Sequence, residues 1–211
     1  MTHEEVVTTT PDRPLLRRSE LIDDPVAQIE AWLGQAREAV EVPEAMTLGT
    51  VDEDGEPDAR MVLLRGVGDD GLRFYTDYES TKGRQLDGHP CGALVVYWRE
   101  LNRQIRARGP VERARSDDSD AYFAARPRAA RLAAWISPQS EPIASRAELE
   151  KRYAEQERRF SGADVPRPPF WGGYVLRPKT IEFFQSQRNR LHDRFLYTRQ
   201  DGAWTIERLA P

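Results

Sequence analysis

The sequence has few of the features that mark several large protein classes. Its single cysteine, Cys91, cannot form an internal disulfide, and its three histidines are scattered without cysteine or carboxylate at ligand spacing. No apolar run approaches the roughly 20 residues that span a bilayer. Residues 1–10 are polar and acidic and do not resemble a signal sequence. These absences predict a soluble, cytoplasmic protein without a metal site, in which Cys91 is buried and not nucleophilic.

Charge of one sign is not in excess either. The chain of 211 residues has 31 basic and 35 acidic side chains, a net charge of -4. That balance provides no general attraction to nucleic acid or to an anionic membrane, so any anion site must be local. A Walker loop, a dinucleotide fingerprint and a Gly-x-Ser-x-Gly elbow are also absent. Redox or group-transfer chemistry would therefore require an organic cofactor.

Hydrophobic periodicity predicts an α+β fold. Residues 1–20 have no periodicity and are expected to form a flexible arm, and residues 21–211 a single domain that includes a helical insert at 116–162. Asp24 and Pro25 open a helix, and short strands separated by hairpin turn signals follow it, as is typical of an antiparallel barrel or sandwich. Strands are predicted at 46–51, 59–65, 72–76, 91–98, 103–113, 173–176, 180–184, 193–197 and 204–209.

The stretch Arg190–Tyr197 carries the most candidate chemistry. If it is a strand, its period of two places Arg190, His192 and Arg194 on one face. Like charges side by side repel, so such a face either stays in water or binds an anion. Apolar and aromatic residues flank the stretch on both sides, which favours the lining of a pocket.

Three further clusters have anion-binding character. They are Arg60 with Arg65 on the second predicted strand, Thr81 with Lys82 at a helix start, and Tyr122 with Arg126 in the insert. Hydroxyl and N–H groups at a helix N-terminus, joined by a lysine, suit a phosphate because dipole and charge both favour an anion. Taken singly, each cluster is better explained as a solvated face or as a cation near a helix C-terminus.

Short motifs along most of the chain form a recognisable set. They are Arg60-Met61-Val62-Leu63-Leu64, Phe74-Tyr75-Thr76, Ser80-Thr81-Lys82, Leu101-Asn102-Arg103-Gln104, Gly109-Pro110-Val111-Glu112, Trp171-Gly172-Gly173-Tyr174, Asn189-Arg190-Leu191-His192-Asp193-Arg194 and Arg208-Leu209-Ala210-Pro211. In this order, from about residue 16 to the C-terminus, the set resembles the pyridoxine/pyridoxamine 5'-phosphate oxidases. Together the motifs are highly specific.

The resemblance implies a fold, an assembly and a reaction. The implied fold is an FMN-binding split β-barrel with surrounding helices, and the implied assembly is a homodimer with FMN at the subunit interface. Residues 170–211 would serve dimerisation and substrate binding. The implied reaction oxidises pyridoxine or pyridoxamine 5'-phosphate to pyridoxal 5'-phosphate, with oxygen as acceptor and hydrogen peroxide as product.

The resemblance also implies which residues form the site. FMN would be held by Arg60, Met61, Val62, Leu63, Leu64, Arg65, Tyr75, Thr76, Thr81, Lys82, Gln104, Gln139, Ser140, Phe184 and Arg194. Substrate would be bound by Arg65, Tyr122, Arg126, Ala130, Arg190, Leu191 and His192. Of these, Arg190 and His192 would be the catalytic pair that holds the pyridine ring against the flavin.

Several positions depart from the family pattern. Arg65 replaces a lysine, Ala130 a phosphate-binding serine, Phe184 a tryptophan beside the flavin, and Ser186-Gln187-Arg188 a glycine-rich approach; the N-terminal arm lacks an Arg-Tyr lid signature. Three alternatives therefore stay open: a related FMN oxidase of secondary metabolism of the phenazine-pathway type, a non-catalytic split-barrel protein that binds flavin or pyridoxal phosphate, and a plain structural domain. Tyr122, Arg126 and the intact run from Arg190 to Arg194 favour the vitamin substrate.

Overall fold

The computed structural model describes residues 15–211 and has the α+β composition that the sequence predicts. Its α-helices are α1 (Pro25–Arg37), α2 (Thr81–Gly88), α3 (Ser116–Ala125), α4 (Arg128–Ile136) and α5 (Arg146–Arg159). Its strands are β1 (Ala45–Val51), β2 (Pro57–Leu63), β3 (Gly66–Gly68), β4 (Gly71–Asp77), β5 (Cys91–Trp98), β6 (Arg103–Arg113), β7 (Trp171–Leu176), β8 (Thr180–Gln185), β9 (Asp193–Gln200) and β10 (Ala203–Arg208). Across these residues, no helix combines the length and the apolar character needed to cross a bilayer.

The described residues divide into two compact units. The first comprises the described chain up to Pro43 together with Val95–Ala107 and Thr180–Pro211, and the second comprises Glu44–Leu94 and Arg108–Lys179. Strands β5 and β6 each contribute to both units. Neither unit is one continuous stretch of the chain, and the single domain at residues 21–211 stays a prediction.

The first unit is built on antiparallel pairing at its C-terminal end. Strand β9 pairs with both β8 and β10, and β6 follows β8 in the strand order. Helix α1 begins as predicted, with Asp24 accepting a hydrogen bond from the Val26 N–H and proline at the first helical position. Its Trp32 packs edge-on against Phe183, with ring centroids 5.1 Å apart. This contact anchors α1 through the core of the unit.

The predicted N-terminal arm is only partly described. Residues 1–14 lie outside the described residues. Leu16, in the remainder of the arm, is buried, and its N–H donates to the Asp193 carboxylate over 3.0 Å. Leu16 therefore fixes the end of the arm to the first unit, while its neighbours in the arm are exposed.

The second unit combines two sets of strands with the helical insert. Strands β5, β1 and β2 follow one another, and β4 pairs with β3 and β7, while β7 also pairs with β6. Helices α3, α4 and α5 form the insert predicted at 116–162. Their buried side chains share an apolar cluster with β7 and the segment before it: Phe123, Leu132, Phe160, Val165 and Trp171.

Two predictions about local structure are wrong. Cys91 is exposed, because it is the first residue of β5, where the alternating burial of the strand has not yet begun. The strand predicted at 193–197 does begin at Asp193, but the alternation predicted from Arg190 onward does not hold, because Arg190 lies before this strand. Before it, Asn189 and Arg190 have φ values of 56° and 60°, in the left-handed region, within a short 3-10 turn. Arg190, His192 and Arg194 therefore do not share a face of one strand.

Candidate functional site

Lys82 is buried at the start of α2. Its Nζ donates to Gln139 Oε1 at 2.9 Å, Ser80 Oγ at 3.2 Å and Thr76 Oγ1 at 3.3 Å. Burial, and then the nearby charge of Arg60, lower the pKa of Lys82. A buried ammonium held by neutral oxygens beside a second cation is a favourable place for an anion, because an anion would offset both costs.

The loop after α4 contributes two polar side chains to the same helix start. Gln139 Oε1 also accepts from Thr76 Oγ1 at 3.0 Å, and Ser140 Oγ accepts from the Thr81 N–H at 3.2 Å. Ser140 has a φ of 77°, so the loop adopts a left-handed conformation at this contact. The structure thus brings together two pairs of predicted cofactor residues, Thr76 with Gln139 and Thr81 with Ser140. The members of each pair lie about 60 positions apart in the sequence.

Arg60 is largely occupied by the protein itself. Its guanidinium donates to the Leu48 carbonyl, the Thr50 hydroxyl and Gln85 Oε1, and it forms an ion pair with Asp58. The Arg60 side chain is only 18% exposed. Arg60 is therefore fixed in orientation, and an anion that binds it must share it with the carboxylate.

A stack of aromatic rings lies beside Arg126, one of the predicted substrate-binding cations. Tyr75 and Tyr122 stack with centroids 3.8 Å apart at 8°, and Trp171 continues the stack at 5.8 Å from Tyr75. Arg126 lies over the Trp171 ring at 4.6 Å. Its buried Nη1 has no hydrogen-bond partner within residues 15–211. Burial, and to a lesser degree the charge of Arg65, lower the pKa of Arg126.

An unpartnered buried guanidinium nitrogen is costly unless a ligand satisfies it. Arg126, the exposed Arg65 and the Tyr122 hydroxyl offer the charge and the donors that a phosphate monoester requires.

Ala130, in α4, is half-buried and offers no side-chain donor. The remaining predicted cofactor residues of the second unit lie on β2 or directly after it: Met61, Val62, Leu63 and Leu64.

In the first unit, His192 is held by the segment before it. Its Nδ1 accepts a hydrogen bond from the Gln187 backbone N–H at 3.0 Å and lies 3.5 Å from Ser186 Oγ. Its ring is 5.0 Å from that of Phe184. Because Nδ1 acts as the acceptor, the ring proton of neutral His192 is on Nε2. His192 is thus arranged as a hydrogen-bond donor through Nε2.

Arg194 is fixed by a buried carboxylate. Its Nε donates to Glu182 Oε1 at 2.8 Å and its Nη1 donates to the Ala210 carbonyl at 2.8 Å. Glu182 is 3% exposed and also pairs with Arg106 at 2.8 Å. The hydrogen bond that Arg194 donates to Glu182 raises the pKa of Arg194. Arg194 pairs with Phe184 across the β8–β9 ladder, so these two predicted cofactor residues are neighbours.

The other predicted residues of the first unit lie at accessible positions. Arg190 and Leu191 are exposed, and Leu191 has a relative exposure of 68%. Gln104 is half-buried near the start of β6. The predicted site residues therefore form sets within each of the two units.

Two family models match the chain. One, described as pyridoxamine 5'-phosphate oxidase, matches residues 33–158, and the other, described as the pyridoxine 5'-phosphate oxidase C-terminal dimerisation region, matches residues 171–211. The chain belongs to the pyridoxamine 5'-phosphate oxidase family.

Relatives named pyridoxine/pyridoxamine 5'-phosphate oxidase support this membership along nearly the whole chain. The protein from Rubrobacter xylanophilus is 52% identical over 189 residues, which cover 89% of this chain and 87% of the relative. The protein from Salinibacter ruber is 49% identical over 203 residues and covers 94% of each.

Solved structures show that the fold is the α+β split barrel of this oxidase family. PhzG from Burkholderia lata 383, in complex with tetrahydrophenazine-1-carboxylic acid, superposes with a TM-score of 0.85 at 29% identity and covers 92% of this chain and 95% of its own. A pyridoxamine 5'-phosphate oxidase-related, FMN-binding protein from Nostoc punctiforme gives a TM-score of 0.71 at 25% identity, with 88% and 96% covered.

Three residues that contact the predicted site were not expected from the sequence. Glu182 accepts a hydrogen bond from Arg194, and Gln187 donates one to His192. Trp171 stacks with Tyr75. A buried glutamate inside the apolar strand Ile181–Phe184 was an available signal, since an ionised group in such a strand needs a partner. No local pattern indicates the contacts of Gln187, because they depend on the path of the turn that follows it.

Proposed function

We propose that this chain is a pyridoxine/pyridoxamine 5'-phosphate oxidase. It oxidises pyridoxine or pyridoxamine 5'-phosphate to pyridoxal 5'-phosphate, with FMN as cofactor and oxygen as acceptor, and releases hydrogen peroxide. Relatives of this name at 52% and 49% identity support the proposal. The proposed enzyme is a cytoplasmic homodimer with FMN at the subunit interface, in keeping with the match to the dimerisation region.

The observation that carries the proposal is the buried Nη1 of Arg126, which has no hydrogen-bond partner among residues 15–211. Burial, and to a lesser degree the charge of Arg65, lower the pKa of Arg126, and in the same unit Tyr122 stacks against Tyr75. A doubly charged phosphate would supply the missing acceptor and offset the repulsion between the two cations. The arrangement suits a phosphorylated substrate better than a neutral one.

The cluster formed by Lys82 with Thr76, Ser80 and Gln139 suits the phosphate of FMN for a similar reason. The donors that converge there are an ammonium, the N-terminus of α2 and the neighbouring guanidinium of Arg60. When bound, FMN supplies a two-electron acceptor for the C4' carbon of the substrate and a route for those electrons to oxygen.

The proposed roles of the first unit concern ring binding. His192 donates from Nε2 to the substrate ring, and Arg190 places its positive charge beside the ring. Arg194, held by Glu182, presents its guanidinium to the flavin and favours the negative charge that reduction would place there. Stacking of the two rings then requires little movement of these side chains.

The test is a visible spectrum of the FMN-loaded protein before and after anaerobic addition of pyridoxine 5'-phosphate or pyridoxamine 5'-phosphate. Bleaching of the flavin band together with formation of pyridoxal 5'-phosphate is the expected result. Arg126→Ala should raise KM for the phosphorylated substrate about 100-fold, because a charged hydrogen bond is worth about 1.5–3 kcal/mol. Arg146→Ala, which removes an exposed ion pair of α5, is the matched control.

The structural likeness to PhzG favours a second candidate, an FMN oxidase acting on a larger or non-phosphorylated ring. The departures at Arg65, Ala130 and Phe184 are compatible with it. Under this alternative, the flavin band would stay unchanged with either vitamin phosphate and would bleach with a reduced phenazine carboxylic acid. A flavin band that none of these compounds bleaches would instead indicate a non-catalytic binding protein.

A further inference from the structure

Gln187 makes two hydrogen bonds that link a buried carboxylate to His192. Its backbone N–H donates to His192 Nδ1 at 3.0 Å, and its side-chain Nε2 donates to Asp193 Oδ2 at 2.9 Å. The first bond closes the turn from Gln187 to His192, and the second ties the start of that turn to the first residue of β9. Gln187, at the start of the turn, therefore bonds to two consecutive residues at its end.

The turn it closes contains unfavourable backbone geometry. Asn189 and Arg190 both have positive φ, and an arginine in the left-handed region is uncommon. Such geometry persists where surrounding contacts impose it. The bonds of Gln187 are contacts of this kind, since they hold the residues that flank the strained pair.

Asp193 is a rigid anchor for these bonds. It is 5% exposed and accepts from the Leu16 N–H at 3.0 Å and from Arg208 Nη1 at 2.7 Å, in addition to the Gln187 amide. Its bonds thus join the N-terminal segment, the turn and the C-terminal strand within the first unit. A side chain bonded to this carboxylate has little freedom to move.

We infer that Gln187 is a positioning residue for His192. Its side chain, bonded to Asp193, holds its own backbone N–H against Nδ1 and so keeps the ring in the Nε2–H tautomer. A glycine at this position would close the turn without such an anchor. The role of this tautomer in binding the substrate ring rests on the proposed function, whereas the tautomer itself does not.

The first readout is the ¹⁵N spectrum of histidine-labelled protein, with the signals of His192 assigned from a His192→Asn variant. In the wild type we expect a protonated Nε2 and an unprotonated Nδ1 at a pH where the ring is neutral. In Gln187→Ala we expect shifts averaged between the two tautomers. Gln200→Ala, a change of the same type at the exposed end of β9, should leave the spectrum unchanged.

The second readout is steady-state kinetics with pyridoxine 5'-phosphate. Gln187→Ala should raise KM about tenfold, as the loss of about one hydrogen bond implies, with an unchanged dissociation constant for FMN. Gln187→Glu places a second carboxylate against Asp193 and should raise KM at least as much. If the wild type lacks oxidase activity, the proposed function fails and the ¹⁵N spectra still decide the inference.

A single Nε2–H tautomer retained in Gln187→Ala would overturn the inference, as would a proton on Nδ1 in the wild type. A Gln187→Ala protein whose KM equals that of the wild type would contradict the link to substrate binding. Should Gln187→Ala fail to fold, Gln187→Asn, which shortens the side chain by one carbon, carries the same comparison.

Discussion

At the scale of single residues, the buried cations of the second unit differ in what already surrounds them. Arg60 is paired with Asp58, Lys82 is held by neutral oxygens, and one nitrogen of Arg126 has no partner within the described chain. A cation already paired with a carboxylate gains less from an added anion than one held by neutral groups. Lys82 and Arg126 should therefore contribute more to phosphate binding than Arg60 does.

Lys82→Met should make the FMN-free protein more stable and weaken its binding of FMN. Burial and the charge of Arg60 lower the pKa of Lys82, so the cost of holding the ammonium is present below this lowered pKa. The variant removes a cost on the order of 1 kcal/mol. Its advantage should shrink as pH rises through the lowered pKa and vanish above the usual value of 10.5.

Thermal unfolding of both proteins without FMN, followed across this pH range, measures the first effect. Fluorescence titration with FMN at neutral pH measures the second. Equal FMN affinity in wild type and variant would exclude Lys82 from the cofactor site.

Asp193→Asn should destabilise the protein at neutral pH, and the difference should disappear in acid. Burial would raise the pKa of Asp193, but hydrogen bonds from Arg208 and Gln187 outweigh burial and hold this pKa below 3.8. A lowered carboxyl pKa stabilises the fold above the usual value, and that contribution is lost as pH falls through the lowered pKa. Because Arg208 is half-exposed, we expect a loss of about 2 kcal/mol.

Urea unfolding of wild type and Asp193→Asn between pH 7 and pH 3 tests this prediction. The gap in unfolding free energy should be constant above about pH 4 and narrow below it, where the unfolded carboxyl group takes up its proton. A gap that stays constant down to pH 3 would show that the ionised form of Asp193 contributes nothing specific.

At the scale of elements, local signals predicted where most helices and strands begin. The prediction that failed concerns the turn before β9. The cap at Asp24 and the turn sequences between strands act through neighbouring atoms, so they can be recognised in the sequence. The turn before β9 could not be recognised, because Asn189 and Arg190 adopt left-handed backbone that only the surrounding hydrogen bonds impose. The alternation predicted for Arg190, His192 and Arg194 failed for that reason.

The docking of α2 depends on the absence of a side chain at Gly83. A Cβ there would lie 2.0 Å from the Tyr78 carbonyl oxygen and 2.8 Å from that of Asp77, both of them backbone atoms. Gly83→Ala should therefore shift α2, lower stability by about 3 kcal/mol and weaken FMN binding through displacement of Lys82. Gly88→Ala, whose Cβ meets no atom within 4 Å, is the control in the same helix.

Chemical denaturation gives the stability of both glycine variants, and flavin fluorescence gives their affinity for FMN. If Gly83→Ala bound FMN as the wild type does, the position of α2 would not determine the cofactor site.

At the scale of the whole molecule, the sequence predicted the class of fold but not the pairing of distant strands. Pairing between β4 and β7 joins segments about 100 residues apart, and no local propensity specifies it. The same limit applies to the site. The family resemblance implied that Thr76, Thr81, Gln139 and Ser140 all serve the cofactor, whereas the residues alone indicated only separate cationic clusters. The hydrogen bonds of Thr76 with Gln139 and of Thr81 with Ser140 come from the structure.

The exposed apolar side chains of β2 bear on the assembly of the protein. Met61 and Leu63 lie two residues apart on this strand, with relative exposures of 63% and 36%. Within the described chain, β2 is the last strand in the order that runs from β10 through β1. An apolar edge strand left in water promotes unwanted association, so proteins usually cover it. In the proposed homodimer, a second copy would cover this strand next to the residues assigned to FMN.

Met61→Asp should therefore weaken the dimer about 100-fold, as expected when a charge enters a desolvated contact, and should weaken FMN binding in parallel. Ala147→Asp places the same carboxylate in the exposed first turn of α5, where the helix dipole favours it, and should leave both properties unchanged. Sedimentation equilibrium with and without FMN measures the two effects. A Met61→Asp protein that remains a dimer with normal FMN affinity would show that the subunit interface does not include β2. The flavin site would then form away from this strand.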